Sequence, residues 1–143
     1  MNKRILLLIV LVPLLIFNAC GGKKELKQAS LESKIAKEAI SLMESIKELY
    51  TKKDLSVISD KATREGYKDI VDSIKHFDTV DLTFTPRYVE IEQTKVYLNI
   101  AWKGTWTVGT ETFRERGMAV FLLDGNPLKL SKILRGNPFK NPE

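Results

Sequence analysis

The sequence predicts an α+β domain in which N-terminal helices pack against a curved, mostly antiparallel sheet. Two observations carry this expectation. Apolar residues recur at helical spacing between Leu31 and Phe77, and from Val80 onward the apolar period falls to two. Helices first, then a run of strands joined by short turns, is the order of an α+β unit with its helices gathered on one face of the sheet.

The first helix is predicted over 31–52. Leu31, Ile35, Ala39, Leu42, Ile46 and Leu49 form one apolar stripe, and Glu38, Glu44, Lys47 and Glu48 fall off it. Ser30 is placed to cap its start. Asp54 opens a short piece, Leu55 to Ile58, read as one helical turn. A second long helix is predicted from Arg64 to His76, with Tyr67, Ile70, Val71, Ile74 and Phe77 on its apolar side.

Val80, Leu82 and Phe84 alternate with Asp81, Thr83 and Thr85 as in a half-buried strand. Pro86 interrupts that strand, which resumes through Arg87 to Glu92. Gln93 to Lys95 form a turn. The next strand places Val96, Leu98, Ile100 and Trp102 on one face, with Tyr97, Asn99 and Ala101 on the other. Val108-Gly109-Thr110 is a turn signal, followed by a strand from Thr112 to Leu123. Its second half, Met118 to Leu123, is apolar on both faces and reads as central. Asp124-Gly125-Asn126-Pro127 is a hairpin turn, Leu128 to Leu134 the last strand, and Gly136 to Glu143 a polar, proline-containing tail.

The N-terminus carries a different kind of signal. Lys3 and Arg4 precede the apolar run Ile5 to Phe17, which is 13 residues long and contains Pro13. A membrane-spanning helix needs about 20 apolar residues, whereas a secretory signal needs roughly 7–15. The run ends in Phe17-Asn18-Ala19-Cys20, and Cys20 is the sole cysteine. These four residues resemble a bacterial lipobox. The resemblance implies cleavage between Ala19 and Cys20 and acylation of Cys20, with a signal peptide over 1–19 and a lipidated cysteine and flexible tether over 20–30. An uncleaved anchor with an incidental cysteine is the other reading. Two or more acyl chains hold a membrane stably, so Cys20 implies a lipid-anchored protein at the cell membrane or outer membrane. Its domain would lie in the periplasm or outside the cell.

Without residues 1–19 the chain has 21 basic and 18 acidic residues, a net charge of +3. The charges are interspersed, and a nucleic-acid footprint needs clustered Lys and Arg; no nucleic-acid partner is expected. One cysteine and one histidine supply no zinc spacing. No phosphate-binding glycine loop or nucleophile elbow is present, and neither a cofactor nor a metal is expected.

The element order resembles the nuclear transport factor 2-like (SnoaL-like) superfamily. The paired helices with the broken link Tyr50-Thr51-Lys52-Lys53-Asp54-Leu55, the strand Val96 to Trp102 and the closing Phe121 to Leu130 hairpin carry the resemblance. It spans 31–139 and leaves 140–143 as a tail. Leu128 stands where the final strand of that superfamily usually opens with an aromatic. The resemblance implies a cone-shaped sheet around a cavity, in a group that includes isomerases, dehydratases, ligand binders and assembly modules. It also makes a homodimer through the sheet an expectation.

Several residues are candidates for a site. Trp102, Gly104 and Trp106 share a strand face and could form a stacking floor for a sugar or an aromatic ligand, or pack as core. His76 has Asp72 one helical turn before it and Asp78 two residues after. It could take part in proton transfer, or a cation there could simply complement a helix end. Arg114 and Arg116 share a strand face with Glu115 opposed, and could bind an anion or form a solvated face. Tyr50, Asp60, Tyr67 and Tyr97 could offer polar tips to a cavity. The expected role is a non-catalytic module binding a small apolar ligand inside or a protein partner on the sheet. An isomerase or hydratase using His76 with Asp72 or Asp78, and a structural subunit of an envelope assembly, are the alternatives.

Overall fold

A computed structural model describes residues 29–142. The apolar run, Cys20 and the tether through Lys24 lie outside the described residues, as does Glu143. Among the described residues, three helices precede an open four-stranded antiparallel sheet of order β1-β2-β3-β4. The helices are α1 (Leu31–Thr51), α2 (Leu55–Lys61) and α3 (Arg64–Val71). The strands are β1 (Thr79–Glu92), β2 (Lys95–Val108), β3 (Glu111–Asp124) and β4 (Lys129–Arg135). A 3₁₀ turn, Pro138–Lys140, follows β4. Among the described residues no helix is long and apolar enough to cross a membrane.

Helix α1 starts where its cap predicts, with the Ser30 hydroxyl accepting from the Ser33 N–H at 3.1 Å. Its buried line is Ala39, Met43, Ile46 and Tyr50, rotated from the predicted stripe. Leu31 is 72% exposed, lining a groove at the rim beside the two hairpin tips. Helix α2 runs to Lys61, longer than a single turn.

Helix α3 ends at Val71, five residues short of His76. Asp72 closes it, and the Ser73 hydroxyl donates back to the Asp69 carbonyl. The apolar pattern through Phe77 misleads here because Phe77 serves a tertiary contact. Its ring sits 5.2 Å from that of Tyr50 on α1, while the Asp78 N–H donates to the Thr107 carbonyl at 2.7 Å. Both require extended chain.

Pro86 does not interrupt β1. The strand is continuous, with the register shifting between Pro86 and Tyr88. A bulge is where a strand accommodates a proline, which has no N–H for the ladder. Strands β2 and β3 occupy the two inner positions of the sheet, as the apolar second half of β3 predicts.

The inner face, built from Val80, Leu82, Phe84, Val96, Leu98, Ile100, Trp102, Trp106, Ala119, Phe121 and Leu123, packs with the helices into one core. Helix α3 covers the edge strand β4 closely. Thr63 N–H donates to the Leu130 carbonyl, and a Cβ added at Gly66 would lie 2.1 Å from that same oxygen. The Asp69 carboxylate accepts from the Ile133 N–H at 2.9 Å, satisfying a donor on the exposed edge of the sheet.

The segment after Gly136 is no loose tail. Asn137 donates to the Asp69 carbonyl and accepts from the Phe139 N–H, at 2.8 and 2.9 Å. Phe139 is fully buried, with its ring centre 4.9 Å from Tyr50, 6.2 Å from Phe84 and 6.4 Å from Phe121. Asn141 and Pro142 are buried as well, so the packed unit reaches beyond residue 139. Phe139→Ala removes a ring that joins α1 to β1 and β3, and is expected to cost about 3–5 kcal/mol in urea unfolding.

Candidate functional site

The predicted aromatic floor belongs to the core. Trp102 and Trp106 lie on the inner face of β2 and pack edge to face, 6.4 Å apart at 87°. Trp106 is fully buried and its Nε1–H donates to the Tyr50 hydroxyl at 3.0 Å; the Trp102 Nε1–H donates to the Gly136 carbonyl at 3.0 Å. Gly104 is the reason they can meet, since a Cβ there would stand 2.1 Å from the Trp106 ring. The ring folds back over the glycine and fills the space that a ligand's stacking surface would need. Neither indole keeps a free donor or an open face.

Tyr50 is the polar centre of this core. Its hydroxyl accepts from Trp106 and donates to the Asn141 carbonyl at 3.4 Å. Burial pushes its pKa up to about 12, with the bond from Trp106 acting in the opposite direction. No described buried side-chain polar atom lacks a partner. The interior therefore offers a ligand no unpaired polar group.

His76 stands outside the core, with its side chain 78% exposed. Its Nε2 lies 3.6 Å from Asp78, whose other carboxylate oxygen accepts from the Gly109 N–H at 2.6 Å. Asp78 thus ties the start of β1 to the β2–β3 turn. Asp72 caps α3 and lies 3.7 Å from Lys68. Because α3 ends at Val71, Asp72 and His76 are not stacked on successive turns. The proposed pairs form no enclosed acid/base site. His76 lines only a shallow groove of about 220 Å³ with Tyr50, Lys53, Leu55 and Phe77. Tyr67 is half-buried against the core, Tyr97 sits on the outer sheet face, and Asp60 is exposed. No metal-binding group of three or more His, Cys, Asp or Glu occurs among the described residues.

Arg114 and Arg116 project from the outer face of β3, and Glu115 from the inner side, as their alternation predicts. The register places Lys103 directly across from Arg116, and Thr105 across from Arg114. Thr83 and Asp81 follow on β1. Together they line a groove of about 390 Å³. Lys103 is the member that sequence reasoning missed. Its strand position was legible, but its cross-strand partner depends on register.

Further along the same face, Met118 is 43% exposed and Tyr88 56% exposed. Another groove, of about 490 Å³, lies at the rim between Leu31, Ile35, Ile91, Leu128 and the two hairpin tips.

No known family pattern, curated protein or solved structure matches this chain.

Two measurements test the site as described. One of the four tyrosines should stay protonated until about pH 12 in an ultraviolet titration, and Tyr50→Phe should remove it. The raised pKa means that Tyr50 contributes stability fully below about pH 10, lost as the pH rises through about 12. Stability of the wild type should fall over that window more steeply than that of Tyr50→Phe. His76→Asn should shift unfolding stability by no more than about 0.5 kcal/mol, as for an exposed side chain without a structural bond.

Proposed function

We propose that this chain is a lipid-anchored cell-envelope protein acting as a non-catalytic binding module of the nuclear transport factor 2-like kind, and that it meets its partner on the outer face of the sheet. The carrying observation is the filled interior. Phe139, Tyr50 and Trp106 occupy the space between helices and sheet, and their polar atoms are bonded to one another or to the backbone. A small apolar ligand would have to displace packed rings there, at a cost of several kcal/mol. The outer face is available instead, with Tyr88 and Met118 exposed on it.

Helices preceding an antiparallel meander support the fold reading. The exposure of His76, and the structural bonds of Asp78 and Asp72, weigh against proton-transfer chemistry. The anchor rests on Phe17 to Cys20 after the short apolar run. Cys20→Ala should abolish incorporation of labelled fatty acid and leave the precursor uncleaved; a cleaved, membrane-bound variant would refute the anchor. Native mass spectrometry of the wild-type protein should show no retained small molecule.

A further inference from the structure

The outer face carries a local conflict that the fold itself does not resolve. Lys103 and Arg116 are directly opposite on antiparallel β2 and β3, so their Cβ atoms are about 5 Å apart. Arg114 lies two residues along the same face, about 7 Å away. Like charges facing each other across a sheet destabilise it. Among the described residues no carboxylate lies within ion-pair distance of any of the three. The nearest acids by register do not neutralise them. Asp81 is on β1, with Thr105 between it and Arg114; Glu115 also lines the groove but alternates with Arg114 and Arg116 along β3, and neither acid pairs with a cation. Thr83 and Thr105 add hydroxyl donors to the groove. A set of three cations with hydroxyls between them suits a multiply oxygenated anion, and each local rule broken without internal compensation points to a site.

The same face continues from this cluster into exposed apolar residues. Met118 follows Arg116 by two positions, and Tyr88 lies on β1 just past the bulge. Lys and Arg beside an exposed Met and Tyr on one sheet face is the composition of a membrane-surface contact. The cations attract anionic headgroups, and the apolar side chains enter the interface. We propose that the basic end of the outer sheet face, Lys103, Arg114 and Arg116 with Met118 beside them, docks on the phosphate headgroups of anionic membrane lipids. This names the partner of the outer face and rests on the reading of that face as the binding surface. At the far end of the face the charges alternate in sign across the strands, with Glu92 opposite Lys95 and Lys95 opposite Asp124. The basic end, whose cations have no acid directly across from them, makes the contact.

Met118 supplies the probe. Of the three methionines, Met1 precedes Cys20 and Met43 is 1% exposed, so Met118 is the accessible one in the mature domain. The lipidated protein is reconstituted into vesicles of phosphatidylcholine alone or with phosphatidylglycerol, and Met118 oxidation by dilute peroxide is followed by mass spectrometry. Anionic vesicles should slow oxidation. Arg116→Gln should weaken this protection about fivefold, as expected for the loss of one surface cation, and Lys103→Gln should do the same. Each variant alone, without vesicles, should melt no lower than wild type, because it relieves the repulsion. Equal oxidation rates on both vesicle types would overturn the proposal, and so would a lowered melting point of both variants. Protection by inorganic phosphate on neutral vesicles, equal to that by phosphatidylglycerol, would also overturn it in favour of a soluble phosphate ligand. Flotation with neutral vesicles reports the Cys20 anchor separately, so a failed anchor and a failed headgroup contact give different results.

Discussion

The insertion of Phe139 between helices and sheet is the constraint on which the rest of the structure depends. Its ring touches the rings of Tyr50, Phe84 and Phe121, and so joins α1, β1 and β3 at one point. The insertion is held by a short polar latch. Asn137 grips the Asp69 carbonyl with its amide and the Phe139 N–H with its oxygen, while the Asp69 carboxylate holds the edge strand β4. An aromatic ring brings a large apolar area to this junction, and the latch fixes where that area goes. Losing the latch would leave Phe139 with the same hydrophobicity but no defined seat.

A domain filled in this way divides its surfaces. The inner sheet face is committed to packing, with Trp106 bonded to Tyr50 of α1 and Trp102 to the Gly136 carbonyl. The outer face carries the unresolved features: facing cations, an exposed methionine and an exposed tyrosine. Fold alone does not choose a function, but the distribution of satisfied and unsatisfied groups narrows where one can reside. Here the satisfied groups are inside and the unbalanced charges outside.

Legibility in the sequence followed the range of the interactions involved. The α+β class, the Ser30 cap, the turns at Gly109 and Gly125 and the alternation of Arg114, Glu115 and Arg116 are local properties and could be read from neighbours in the chain. The end of α3 could not, because Phe77 is drawn to Tyr50, 27 positions earlier. The same limit applies to Met43 and Tyr50, whose burial depends on how α1 lies across the sheet. The role of residues 137–142 was hidden by their composition. Two prolines and three polar side chains look like a solvated tail, yet both asparagines are spent on backbone partners. The facing of Lys103 and Arg116 needed the register between two strands, and no single strand contains it.

The position of Phe139 also sets a schedule. The Tyr50 hydroxyl bonds to Asn141, a contact spanning 91 positions, and contacts of such separation form late and slowly. The helices and strands described above can all be in place and still lack the ring that fills the space between them. Without residues 137–142, Tyr50 lacks both its carbonyl acceptor and its edge-to-face ring partner. Residues 137–142 are therefore the segment that commits the domain to its compact state, and closure of the core waits on contacts between residues far apart in the chain.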